Sequence, residues 1–136
     1  MDAAEAALQP QRTAWIEAYA TGHATLDAQH AELLEACNQL AGLCGPGDES
    51  ARAFEAGVER LKTLAREHFG AEAALLPEGP DLDELEDERG EFGYLAAEVA
   101  TTGHFDRVEL QRFLALWCIG HIAGWAQRLR AIPPGG

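Results

Sequence analysis

Four residues able to ligate a metal stand where helical spacing would otherwise put core side chains: His30, His68, Glu72 and His121. Imidazole nitrogens and carboxylate oxygens together make a donor set suited to iron, zinc or manganese rather than to a thiolate-preferring ion. His68 and Glu72 are one helical turn apart, so both can reach one ion from one face. An unpartnered buried polar group costs on the order of 1–3 kcal/mol, so histidines on apolar stripes need a partner. Glu88 is the one acid on a third stripe, and it is the candidate additional oxygen ligand.

These residues must be positioned by helices. Leu26, His30, Leu33, Cys37, Leu40 and Cys44 alternate steps of four and three, which marks one face of a helix. Phe54, Val58, Leu61, Ala65, His68, Glu72 and Leu75 repeat the pattern, as do Leu85, Glu88, Phe92, Leu95 and Val99. The fourth stripe runs Leu110, Leu114, Trp117, His121, Trp125 and Leu129. Helices are expected over residues 25–43, 50–76, 82–101 and 106–131, with Thr25, Asp81 and Asp106 as start signals and Glu84 and Glu109 completing capping boxes. Gly42, Gly45, Pro46 and Gly47 stop the first helix, Pro77, Gly79 and Pro80 the second, and Gly103 the third. Residues 1–24 show no sustained period and read as an arm laid over the helices. With no β-alternating segment and short connections, the expected fold is all-α: an up-down-up-down four-helix bundle with an N-terminal arm.

Composition bounds the partners. The 136 residues, 47% of them hydrophobic, suffice for one domain with a sizeable core. A formal charge of -13, from 23 acids against 10 Lys and Arg, repels a phosphate backbone, so nucleic acid is not an expected partner. Met1–Ala6 lack the basic and apolar runs of a signal peptide, and no apolar run approaches the roughly 18 residues of a membrane span. The expectation is a cytoplasmic protein without a membrane partner; no protein partner can be read. Cys37, Cys44 and Cys118 lack zinc-type pairing and read as reduced core cysteines. His23 and His104 lie in loop-like sequence and read as exposed, and Arg89 reads as a surface cation.

Trp15, Tyr19, Thr21-Gly22, Leu26-Asp27-x-Gln29-His30-x-x-Leu33 and Asn38-x-Leu40 resemble the opening of a bacterial hemerythrin. His68-Phe69-x-x-Glu72-x-x-Leu75 resembles that family's second-helix motif, and Trp117-x-x-x-His121-Ile122 its fourth. The resemblance covers residues 15–76 and 110–125. It implies a four-helix bundle with a non-haem di-iron centre that binds dioxygen reversibly, held by histidines and two bridging carboxylates. On that resemblance His30 and His68 match histidines of the dioxygen-binding iron, Glu72 matches one bridging carboxylate, and His121 matches a ligand of the other iron. The chain departs from the family in its third helix, where no histidine lies between 69 and 103. Depending on alignment, the two family histidines fall on Leu85 and Arg89 or on Asp87 and Glu91, and the second bridging carboxylate falls on Ala126.

The sequence therefore implies a hemerythrin-like metal centre with an altered ligand set. One ion, iron with zinc or manganese as substitutes, would be held by His30, His68, Glu72 and His121; a two-ion site drawing on Glu88 or its neighbours stays open. The implied small ligand is dioxygen or nitric oxide, or the centre senses iron or redox state. Two alternatives stand beside it: a non-haem iron or zinc enzyme using the same residues, and a metal-free bundle whose polar residues satisfy one another.

Overall fold

The structure, a computed structural model, describes residues 8–102 and 106–133, with the side chains of 98–102 outside that description. Four helices follow one another: α1 (Ala24–Ala41), α2 (Asp48–Leu75), α3 (Pro80–Thr102) and α4 (Arg107–Arg130). Neighbouring helices pack antiparallel and α1 also meets α4, so the ring of four closes. No strand forms among the described residues. The expectations for Met1–Ala6, Gly103, His104 and the side chain of Val99 lie outside the described residues.

The predicted stripes form the core. Leu26, Leu33, Leu40, Phe54, Leu61, Phe69, Leu85, Phe92, Leu114, Trp125 and Leu129 are all buried in one cluster. Burying a Leu or Phe side chain contributes about 1.5–3 kcal/mol, so these residues drive the assembly that brings the polar ones together. Gly57 allows α1 and α2 to approach closely, since a Cβ there would stand 2.7 Å from Leu40 Cδ2.

Two of the three start signals read differently in three dimensions. Thr25 is not a cap: α1 begins at Ala24, and His23 occupies the cap position with an extended backbone and no capping side-chain bond. His23 is buried rather than exposed, because its Nε2 donates to the Leu129 carbonyl at 3.0 Å. Asp81 is not a cap either. Pro80 is the first residue of α3, where its missing N–H costs nothing, and the Gly79 carbonyl accepts the Asp83 N–H at 3.0 Å. Asp81 instead faces Arg128 of α4 at 3.4 Å. Asp106 does cap α4, accepting the Glu109 N–H at 2.8 Å.

The arm is fastened to α1 and α4 by bonds that interlock. The Gln11 N–H donates to Gln111 Oε1 at 2.7 Å, and Gln111 Nε2 donates to the carbonyls of Gln11 (2.7 Å) and Cys37 (2.9 Å). Asn38 and Thr13 exchange a second pair, at 2.9 and 3.0 Å. Nearer α1, the Thr21 N–H and hydroxyl both donate to Asp27 Oδ1 at 2.8 Å. A single 3-10 turn, Glu17–Tyr19, then drops the Tyr19 ring against Leu34 and Ile122. These bonds fix the start of α1, and with it the level at which His30 enters the core.

Candidate metal centre

His30 from α1, His68 and Glu72 from α2, and His121 from α4 meet in the middle of the bundle. All four are buried, and one donor atom from each lies within 4.8 Å of the others. Donors sharing one ion at bond lengths of ~2.1 Å stand about 3–4 Å apart, so the group has the dimensions of a coordination site. The three rings stand edge to face, with His30 and His68 centroids 4.3 Å apart and His68 and His121 5.5 Å apart. The Trp117 ring stacks parallel on His121 at 5.5 Å, and Phe69 meets the same imidazole at 5.0 Å. Among the described residues no other group of His, Cys, Asp and Glu is gathered this way.

Glu72 is the hub. Its Oε1 accepts from His121 Nε2 at 2.9 Å, and its Oε2 lies 3.4 Å from His30 Nε2 and 2.8 Å from His68 Nε2. Burial pushes the carboxyl pKa up, but hydrogen bonding by the three histidines outweighs it and holds the group well below the usual carboxylate range. Glu72 is therefore an anion in an apolar interior. Such a charge survives only beside compensating positive charge.

The 2.8 Å separation of His68 Nε2 and Glu72 Oε2 is not a well-formed hydrogen bond, for the N–H direction misses the oxygen and leaves Nε2 without a partner. Gln29 Oε1 accepts from His68 Nδ1 at 2.9 Å, which places that ring's proton on Nδ1. Burial pulls the His68 pKa down to about 4 and the nearby Glu72 carboxylate offsets this only in part, so the ring is neutral at pH 7. His68 Nε2 is thus left without a hydrogen-bond partner although Glu72 Oε2 lies 2.8 Å away. His30 Nδ1 is likewise buried and unpartnered. An orphaned buried nitrogen 2.8 Å from an anionic carboxylate is what a cation would satisfy.

His121 behaves in the opposite way. Burial pulls its pKa down, but hydrogen bonds to Glu72 and Glu88 carry it up to about 9. The ring is an imidazolium at neutral pH, and its proton supplies the positive charge beside Glu72. A metal ion bound to Nε2 would have to displace that proton.

Glu88 does not join the four. Its Oε1 lies 2.9 Å from His121 Nδ1, on the side of the ring away from Glu72, and its Oε2 accepts from Trp125 Nε1 at 2.9 Å. Its side chain is 25% exposed. Glu88, expected as an additional oxygen ligand, thus stands outside the gathered group and bonds the far nitrogen of His121, the place a carboxylate takes behind a metal-bound histidine. Alternation of apolar positions put Glu88 on the inward stripe, but the stripe could not show that α3 presents it at the core's edge.

None of the alternative positions joins the gathered group, and Asp87 is exposed. Leu85 and Ala126 are buried apolar residues, Arg89 pairs on the surface with Glu86 at 3.5 Å, and Glu91 accepts from Trp117 Nε1 at 3.1 Å. Cys118 is buried against Cys37, whose hydrogen bond together with desolvation pushes its thiol pKa well up. All three cysteines are free. Gln29 is the functional residue that residue chemistry alone missed. It stood inside the quoted first-helix motif, one position before His30, but nothing in its type announces a partner on α2.

No protein-family model matches the chain, and neither curated proteins nor solved structures yielded a match. No helix of the described residues is long and apolar enough to cross a membrane.

Proposed function

We propose that the protein is a hemerythrin-like metal-binding protein that holds one divalent ion, iron in a non-haem centre, and uses it to bind dioxygen or nitric oxide or to sense iron or redox state. The ligands are His30, His68, Glu72 and His121. The observation that carries the reading is the gathering of four buried donors within 4.8 Å of one another, with His68 Nε2 and His30 Nδ1 left without hydrogen-bond partners. A metal-free bundle would be expected to pair such buried atoms. The donor set suits iron, zinc or manganese alike, and the preference for iron rests on the resemblance of the His30, His68-Glu72 and His121 motifs to the hemerythrins.

One ion is favoured over two because, of the positions that would serve a second, Leu85 and Ala126 carry no donor, Arg89 is a cation, and Asp87 and Glu91 of the other alignment are exposed. Bound iron(II) would supply electron donation to a diatomic ligand. The chain's own residues do the rest. Gln29 fixes the His68 ring by holding its Nδ1 proton, Glu88 fixes His121, and the burial of all four donors keeps bulk water away. Lowering of the His68 pKa to about 4 keeps its Nε2 free of a proton across the neutral range.

Anaerobic loading with iron(II), elemental analysis and then exposure to nitric oxide or air test this directly. About one iron per chain with a new visible absorption band is expected. Stoichiometric iron with a flat spectrum would remove the diatomic-ligand reading, and failure to take up iron, zinc or manganese at neutral pH would remove the metal reading itself.

A further inference from the structure

In a chain with 23 acids and 10 basic residues, the cavity between α2 and α3 is lined by Lys62, Arg66 and Arg89 and by no acid. Lys62 is the only lysine of the sequence. The cavity measures about 260 Å³, and its floor is apolar, with the Phe69 and Phe92 rings 6.4 Å apart and tilted by 50°. Lys62 and Arg89 each keep an acid of their own helix at hand, Glu59 at 3.0 Å and Glu86 at 3.5 Å. Arg66 makes no ion pair or hydrogen bond among the described residues. Gly93 opens the α3 wall, since a Cβ there would meet nothing within 4 Å.

One unpaired cation, Arg66, beside two aromatic rings calls for a ligand with an anionic head and a flat apolar body. We propose that this pocket binds a small aromatic carboxylate, a single ring carrying one carboxylate, whose head pairs with the Arg66 guanidinium while its ring packs on Phe69 and Phe92. A guanidinium offers a carboxylate two parallel N–H donors, and an aromatic body gains offset or edge contacts that an inorganic anion cannot make. The volume suffices for one ring. The site is distinct from the histidine group, although Phe69 borders both.

Phenylacetate is the probe, titrated calorimetrically into the folded, chelator-treated protein so that no metal can take the carboxylate. Saturable one-to-one binding in about the millimolar range is expected for a ligand of this size. Arg66→Gln should weaken it about tenfold, and Gly93→Leu, which fills the cavity, should abolish it. Arg52→Gln, on the exposed surface of α2, should leave it unchanged. Circular dichroism verifies that each variant keeps the bundle. Absence of saturation overturns the proposal, as does equal binding of 2-phenylethanol, or of inorganic phosphate, or an unaltered affinity in both pocket variants. Because the titration is made without metal, its failure leaves the metal reading untouched, and failure of metal loading leaves this one untouched.

Discussion

The α1–α4 face and the α3 side of the bundle are built by different means. Along α1 and α4 the arm is stitched down by Gln111, Asn38 and Asp27, and two of the three clustered histidines rise from these helices. Against α2 and α4, α3 contributes Leu85, Phe92 and Ala96 to the core, and none of its described side chains joins the histidine group. Its outward face leaves Tyr94 65% exposed, and its links to α4 run through Arg128 and Glu88 at the edge. The four gathered side chains come from α1, α2 and α4, whereas α3 supplies an apolar wall and, beyond His121, the Glu88 carboxylate. A ligand held by a rigid helix loses little entropy on binding metal, whereas a carboxylate at the edge can adjust.

The sharpest way to break this contrast is to remove a donor. His68→Ala should abolish stoichiometric metal binding at micromolar ion concentration, and it should lower Tm in the presence of metal far more than in chelator, since only the folded state assembles the site. Differential scanning calorimetry under both conditions measures this. Equal losses with and without metal would make His68 a structural hydrogen-bonding residue and would erase the distinction between donor helices and cover. Glu88→Gln tests the cover: losing the carboxylate behind His121 should weaken metal binding about 10–100-fold without changing the stoichiometry.

Proton linkage gives the next largest effect. The raised His121 pKa, about 9, means that metal must displace a proton at neutral pH, so affinity should climb about tenfold per pH unit from 7 and level off near 9. The metal-free fold responds with both signs. The raised His121 value contributes stability that is full below its ordinary pKa of 6.5 and is lost as pH rises through about 9. His68, lowered to about 4, contributes stability that is present above 6.5 and is lost as pH falls toward 4. Chelator-treated protein should therefore unfold more readily at pH 4 and above pH 9 than at pH 6.5, as urea titrations across that range would show.

Gln111→Ala should cost about 1–3 kcal/mol, because it leaves buried groups of the arm and the Cys37 carbonyl without their partner. Metal affinity should change little, since Gln111 lies outside the histidine group. A large loss of affinity would show that the arm sets the position of His30 more directly than its bonds suggest.

Gln111 also marks the limit of what the sequence disclosed. Helical periodicity found the four stripes, and the polar intrusions His30, His68, Glu72 and His121 stood out because they interrupted apolar runs; that signal is local to each helix. The partners of Gln111, Gln29 and His23 are not local. His23 is buried by a carbonyl 106 residues away, and a loop-like Thr-Gly-His context gives no hint of it. The Asp81 start signal failed for a related reason, since Pro80 already suits the first helical position and freed Asp81 to meet Arg128 across the bundle. Glu88 stood on the right stripe, yet only the packing of α3 determined which side of His121 it meets.

The smallest expected effect lies on that same edge. Arg128 pairs with Asp81 at 3.4 Å and Glu84 at 2.9 Å, and its guanidinium lies 3.9 Å from the centre of the Trp125 ring. Hydrogen bonding to Glu84 raises the Arg128 pKa and lowers that of Glu84, but the pair is exposed to solvent and screened by salt. Arg128→Ala should therefore lower Tm less than Gln111→Ala does, and the gap from wild type should narrow in ~1 M salt, where only the stacking on Trp125 survives. The Gln111→Ala deficit, made of buried hydrogen bonds, should persist in the same salt. If the Arg128 deficit were the larger, and insensitive to salt, α3 would be fixed to α4 as firmly as the arm is to α1, and the site's cover would be as rigid as its donors.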